Sequence, residues 1–487
     1  MKKLLKIETS LYLTLFVVCI FVLLQSPLAP FAKSVNGVDS SMFIYAAQQI
    51  LDGQLIYKDI VDHKGPFLYF IDVLALFIFN GNFIGIWIFE ILSLFVASIM
   101  MYKTARLFAG KILSFLAVVT AIISIVPILG GGNFTEEWAL PYISIAMYIF
   151  MAYLKENKPL TIASLFILSL TFVLTFMLRA NLVAIWAGFG ITLLIKWIVE
   201  KRYKELIHNL SFILLFVLLF SLPFFLYFYC KGTLPDAVYL VFKYNMFEYR
   251  PKSVVFILGI CGWILCGQTY LSVIPVIIAV YMFLRKRTIV NGGFLLTFGF
   301  TALFCSLGGV LGHYFMIFAP LLVIPYVYIF AVIKDSIPKT KYVGLFIIFI
   351  LYNSTCIITQ TKIIRDNYSE KGYNFCNMSP STMKKLKEVI IQNSKSTDKI
   401  LVKGFQSCVY IYSDRICATR FPYPICLSSL ANEYYVKEAE KALPKLIIQG
   451  EVINSSWDSF SLESLLNDKY QLIETNIENV DVWELKE

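Results

Sequence analysis

The chain has 487 residues, 58% hydrophobic and 16% aromatic but only 15% charged. A soluble domain carries about a quarter charged residues; this deficit, with repeated apolar runs of roughly 20 residues, excludes an ordinary soluble enzyme and identifies a polytopic α-helical membrane protein. The net charge of +10 does not mark a nucleic-acid binder, because Lys and Arg cluster in short loops between apolar runs, which is a topology signal.

In chain order, the N-terminal MKKLLK before Leu11–Leu24 has the charge of a signal peptide but no convincing small-residue cleavage site, so it reads as the first retained span. Hydropathy and length predict about 11 spans, near 11–30, 82–103, 112–130, 138–154, 160–178, 181–198, 208–229, 256–284, 291–311, 314–333 and 342–360. If these alternate, the groups Lys2/Lys3/Lys6, Lys103/Arg106/Lys111, Lys155/Lys158, Lys201/Arg202/Lys204, Arg285/Lys286/Arg287 and Lys334/Lys339/Lys341 share one side. The positive-inside rule makes that side cytoplasmic, so the expected location is the cytoplasmic (inner) membrane with a cytoplasmic N-terminus. The opposite side then receives Asp39, Asp59, Asp62, His63, Lys64, Glu136, Glu137, Arg179, Lys243, Glu248, Arg250 and His313. An active site on the outer face explains this bias.

Two outer pieces read as helices lying in the headgroup layer: Phe67–Phe79, too short to cross, and the aromatic stretch Ala237–Tyr249. The expected organisation is a membrane domain over 1–361, with a first outer loop at 31–81, followed by a small extracytoplasmic α/β domain over 362–487. In that tail, strand-like runs fall at Lys399–Lys403, Cys408–Tyr412, Lys445–Ile448, Tyr470–Ile473 and Val480–Leu485, and helix-like stretches at Pro380–Gln392 and Ser428–Ala442. Its cysteines Cys376, Cys408, Cys417 and Cys426 leave disulfides open in an oxidising compartment. The chain has no zinc-type spacing.

The densest polar stretch runs from Asp39 to Pro66. Asp39 before Ser40-Ser41-Met42-Phe43 suits a helix N-cap as well as a functional acid. In Tyr57–Pro66, Gly65-Pro66 predicts a turn, and Lys64 before it is placed to meet an anion; an ordinary solvated loop is the competing reading. Glu136-Glu137 after Gly130-Gly131-Gly132-Asn133 suits the first turn of a helix, or an acceptor hydroxyl or metal. Arg179 lies in a short outer turn, His313-Tyr314 opens a late span, and Glu90 lies within a span.

A first span, an outer Asp, then a Tyr-rich loop ending in Lys-x-Pro resembles the GT-C superfamily of lipid-dependent glycosyltransferases. The similarity is to bacterial relatives of protein O-mannosyltransferases and of the lipid A aminoarabinose transferase. The resemblance implies a GT-C-like membrane domain and transfer from a polyprenyl-phosphate sugar at the outer face of the cytoplasmic membrane to a lipid, glycan or protein acceptor. By this resemblance Asp39 is the catalytic acid, and Lys64 in His63-Lys64-Gly65-Pro66 meets the donor phosphate. His63 takes the place of a Glu, a metal-ligand position that leaves a divalent ion open as cofactor. Glu136 or Glu137 matches the acid of the second outer loop; Arg179, with phosphate binding, and His313-Tyr314 resemble later outer positions, and Asp59 and Asp62 are further outer-face candidates. The pattern departs from relatives where Ser40-Ser41 replaces a second acid and Gly65 replaces a proline. The expected activity is that of an inverting glycosyltransferase (hexosyl- or pentosyltransferase), with a transporter, flippase or polymerase of lipid-linked sugars as the alternative.

Overall fold

The structure, a computed structural model, describes residues 2–157, 159–249, 270–307, 311–336, 341–376, 378–404, 407–450 and 460–486. The chain forms two compact units. One comprises Met1–Gln25, Ile88–Leu226 and Pro251–Lys362; the other comprises Ser26–Trp87, Tyr227–Arg250 and Ile363–Glu487.

The first unit is a helical bundle. Among the described residues seven helices are long and apolar enough to cross a membrane: Ile84–Arg106, Lys111–Ile128, Thr135–Glu156, Ala180–Val199, Tyr203–Cys230, Gly312–Ser336 and Val343–Asn367. Shorter apolar helices cover Glu8–Leu23, Ile162–Leu178 and Ile289–Cys305, where hydropathy also predicts spans. The span expected at 256–284 lies partly outside the described residues, which resume at Tyr270. The chain is thus a polytopic α-helical membrane protein.

Two kinds of helix surface are visible. Tyr203–Cys230 presents Leu210, Leu214, Leu218 and Leu222 outward at four-residue spacing, as a lipid-facing helix does. Helices Ala184–Val199 and Ile289–Leu307 instead pack backbone to backbone through small residues. A Cβ on Gly188 would meet the Thr297 Cα at 2.4 Å, and one on Gly293 would meet the Thr192 Cγ2 at 2.5 Å. With no apolar driving force between helices in lipid, such close packing is what holds them.

The second unit joins the first polar loop to the C-terminal region. The loop forms helices Val38–Leu51 and Pro66–Ile78. The stretch 234–247 is a run of short helical segments, Leu234–Val238, Tyr239–Tyr244 with π-type bonding, and Asn245–Phe247. The C-terminal residues build a five-stranded sheet from β1 (Lys399–Lys403), β2 (Ile416–Cys417), β3 (Leu446–Gly450), β4 (Tyr470–Ile473) and β5 (Val480–Leu485), in the order β2-β1-β3-β5-β4. β1 pairs in parallel with β2 and β3, while β5 runs antiparallel to β3 and β4. Its core is Ile400, Leu401, Val402, Ile447 and Ile448, all buried. Helices Pro380–Asn393, Ser428–Ala442 and Glu463–Lys469 complete this α/β part.

One expectation for this part is corrected, and one left open is narrowed. Cys408–Tyr412 is not a strand but lies in the helix Cys408–Ser413, ended by Asp414 at φ +55°. A parallel β1–β2 pair needs a crossover rather than a hairpin, and this helix lies in it; the apolar Cys408-Val409-Tyr410 faces inward either way. Cys376 and Cys417 are buried free thiols, so the four tail cysteines do not all pair; these two act as small core residues.

The first loop is pinned to the C-terminal part by hydrogen bonds. Val61 N–H donates to the Arg420 carbonyl at 2.8 Å, Cys417 N–H to the Tyr45 hydroxyl at 2.9 Å, and Lys33 N–H to the Asn367 carbonyl at 2.8 Å.

Candidate functional site

Helix Val38–Leu51 sets the position of Asp39. Gly37, not Asp39, occupies its N-cap, and no side chain caps it. Asp39 is the second helical residue, half-buried, where a carboxylate suits the macrodipole. The capping role open to it in sequence is therefore not the one it takes. Likewise Gly65-Pro66 is not a turn. Gly65 caps helix Pro66–Ile78 at φ −69°, and Pro66 is its first residue, where a missing N–H costs nothing.

Between these helices, Asp62, His63 and Lys64 are only 5%, 2% and 8% exposed. A solvated loop is excluded. The Asp62 carboxylate accepts from His63 N–H and from the Tyr69 hydroxyl, both at 2.6 Å. Lys64 Nζ lies 3.2 Å from His63 Nε2, and His63 Nδ1 faces Asp62 Oδ1 at 3.4 Å. An ammonium only donates, so Nε2 is assigned as the acceptor and Nδ1 as the protonated nitrogen. The Tyr57 hydroxyl donates to the Lys64 carbonyl at 2.7 Å, and Asn245 Nδ2 donates to the His63 carbonyl at 2.8 Å. The ring of Tyr249 lies 4.4 Å from that of His63. Burial raises the Asp62 carboxyl above its ordinary range; Lys64 and the Tyr69 and His63 bonds pull it down, while Asp39 adds a further upward push. Asp39 is thus within electrostatic reach of Asp62, and of Tyr69 as well. Asp59 stands apart: it accepts from Leu55 N–H at 2.8 Å and lines another cavity.

His63 Nε2 faces the Lys64 ammonium at 3.2 Å, a neighbour that disfavours a cation on that nitrogen. Among the described residues no three His, Cys, Asp or Glu side chains group to hold a metal ion. The residues present do not fit one.

The bundle unit carries a second buried polar group. Helix Thr135–Glu156 begins after a loop in which Gly130, Gly131, Gly132 and Asn133 all have positive φ. Glu136 and Glu137, each 1% exposed, open that helix. They have different partners. Glu136 accepts from Arg179 at 2.8 Å and from Thr135 Oγ1 at 2.8 Å. Arg179 also donates to the Tyr314 hydroxyl at 2.9 Å and stacks over its ring. Glu137 and Glu90 both accept from the Asn133 N–H, at 2.9 and 2.5 Å. His313 stacks on Phe134 at 4.3 Å and meets Tyr314 edge-on.

So Asp39, Asp62, His63 and Lys64 come together in one unit, and Glu136, Glu137, Arg179, His313 and Tyr314 in the other. Sequence reading missed Tyr57, Tyr69 and Asn245; the two tyrosines lie seven and five residues from Lys64 and Asn245 far along the chain, and only the tyrosine richness of the loop gave any signal.

No family model matches the chain, and no curated protein matches it in sequence. Its fold does match solved structures. ArnT from Cupriavidus metallidurans bound to undecaprenyl phosphate superposes with a TM-score of 0.65 at 11% identity, over 98% of this chain and 97% of that one. The oligosaccharyltransferase AglB from Archaeoglobus fulgidus, in complex with an inhibitory peptide and a dolichol-phosphate, gives 0.58 at 12% identity, over 96% and 73%. The Archaeoglobus fulgidus oligosaccharyltransferase with zinc and sulfate gives 0.51 at 13%, over 90% and 67%. These likenesses show a shared fold: the chain has the architecture of ArnT and of the archaeal oligosaccharyltransferase.

Proposed function

We propose that this chain is an inverting membrane glycosyltransferase that takes a sugar from a polyprenyl-phosphate donor at the outer face of the cytoplasmic membrane. The observation that carries this reading is the buried Asp62-His63-Lys64 cluster beside Asp39 on a GT-C fold. A lysine is kept in a buried, hydrogen-bonded position only with compensation nearby, and Asp62 supplies it.

In the proposed step an acceptor hydroxyl oxygen attacks the anomeric carbon. Asp39 takes the hydroxyl proton, the bond from that carbon to the phosphate oxygen breaks, and polyprenyl phosphate leaves with the electron pair. Lys64 Nζ is held against His63 Nε2, and its positive charge meets the negative charge developing on the phosphate. Within the bundle unit Arg179 is proposed as a phosphate-binding residue, and Glu136 is then its positioning residue rather than a base. Glu137 is tied to Glu90 and Asn133, which favours a structural part for it. His313 and Tyr314 frame Arg179. No step needs a metal. The acceptor is a lipid, glycan or protein, and the N-terminus and basic loops are assigned to the cytoplasm.

One observation favours a transporter or flippase: Glu90 and Glu137 are ionisable groups buried among membrane helices, as in proton-coupled carriers. Membranes carrying the protein, given a labelled polyprenyl-phosphate sugar, separate the readings. Release of free polyprenyl phosphate with label on another molecule supports transfer. A change of leaflet with the sugar–phosphate bond intact supports the carrier and overturns the transferase.

A further inference from the structure

A cavity of about 420 Å³ lies in the second unit, apart from Lys64, between the first loop and the C-terminal sheet. Its size is that of a small-ligand pocket, about 300–1,000 Å³. One wall carries Gln49 and Asp59; the other carries Lys399, Arg420, Glu438 and Lys441. The walls are fixed to each other by the Val61–Arg420 and Cys417–Tyr45 bonds, so the cavity is preformed.

The lining groups differ in how far they are already satisfied. Arg420 donates through Nε and Nη2 to Glu438 Oε1, each at 2.8 Å, and through its backbone N–H to Oε2 at 2.9 Å. Its charge is cancelled and its plane is held. Asp59 uses Oδ2 to accept from Leu55 N–H, which leaves Oδ1 for a ligand hydroxyl. The buried Gln49 adds an amide that both donates and accepts. Lys399 and Lys441, both exposed, form no ion pair among the described residues; with Arg420 cancelled by Glu438, they exceed the Asp59 carboxylate and leave the lining with one surplus positive charge. Carboxylate and amide groups suit hydroxyls and repel a bare anion; the surplus positive charge favours an anionic substituent on a hydroxylated ligand.

We propose that this cavity binds a negatively charged sugar, a uronic acid or a sugar phosphate, as a residue of the acceptor. The acceptor role rests on the glycosyltransferase reading; the binding does not. The position fits that role because Asp59 and Ile60 line the cavity while Asp62, His63 and Lys64, the next residues of the same loop, form the buried cluster. An occupant therefore contacts the segment that carries the phosphate-facing lysine.

The test is saturation-transfer NMR on the full-length protein in detergent, with glucuronate, glucose 6-phosphate, glucose and inorganic phosphate as probes. Glucuronate and glucose 6-phosphate are expected to bind, and whichever is tighter identifies the anionic group. A Lys399→Ser/Lys441→Ser protein, altered only at exposed positions, should bind them at least about tenfold more weakly. The proposal is overturned if neither anionic sugar binds, if inorganic phosphate binds as well as glucose 6-phosphate, or if the double variant binds normally. Binding by a protein that fails to cleave the donor would sink the transferase reading and leave the sugar site standing.

Discussion

Arg179 and Glu136, 43 residues apart in sequence, form an ion pair at 2.8 Å in which Glu136 is buried and Arg179 nearly so. Removing one member of such a pair leaves the other uncompensated, at a cost of about 3–5 kcal/mol, whereas replacing both with apolar groups is often nearly neutral. Glu136→Ala or Arg179→Met should each lower the unfolding midpoint in detergent strongly, and the double variant should recover most of the loss. Additive losses in a double-mutant cycle would show that the pair is not the energetic unit described.

The loop before Glu136 depends on Gly132 and Glu90. Gly132 sits at φ +92°, and a Cβ there would meet Glu90 Oε1 at 2.4 Å. Gly132→Ala should destabilise by more than about 1 kcal/mol. Combining it with Glu90→Ala should relieve the clash but not the backbone strain, giving less than the sum of the two losses. Glu90→Gln keeps an acceptor for the Asn133 N–H and should stay close to the wild type in unfolding midpoint. A Glu90→Gln protein as unstable as Glu90→Ala would contradict this hydrogen-bonding role.

Much of this architecture is legible in the residues. The apolar runs and the terminal strands are set by local periodicity, and Ser428–Ala442 appears as a helix within the predicted bounds. Cys408–Tyr412 is misread because a short apolar run with Tyr and Val has the same local pattern in a strand as in a buried helix; only the parallel β1–β2 pairing decides it. The site divides similarly. Asp39 and Lys64 stand out by position, but the burial of Asp62-His63-Lys64 depends on Asn245 and Tyr249, almost two hundred residues on, and on Tyr69. No local pattern reports such tertiary contacts. The pairing of Glu136 with Arg179 and of Glu137 with Glu90 is hidden for the same reason, since two adjacent glutamates look alike until their neighbours are known.

Asp62 carries a pH signature. Its folded-state pKa is raised, first by burial. An acid with a folded value above its unfolded value destabilises the fold when the pH is above both, and that penalty fades as pH falls through the folded value toward the unfolded one. Asp62→Asn cannot show this term. The difference in unfolding midpoint, variant minus wild type, should therefore fall as the pH drops through the folded value toward the unfolded one. A constant difference would mean that Asp62 titrates as an ordinary carboxyl.

His63 is assigned to orient Lys64, not to hold a metal. Chelation should leave transfer unchanged. His63→Ala should weaken donor binding, and added zinc or magnesium should not restore it. Loss of transfer on chelation, with recovery on adding back one divalent ion, would contradict the assignment.

The central claim is that Asp39 takes the acceptor proton while Lys64 meets the donor phosphate. Its most direct measurement is single-turnover release of polyprenyl phosphate from a labelled polyprenyl-phosphate sugar, comparing wild type with Asp39→Asn at equal amounts and equal unfolding midpoints. Transfer should fall by about 10²–10⁴-fold with donor binding retained. Wild-type transfer by a folded Asp39→Asn protein would contradict the account.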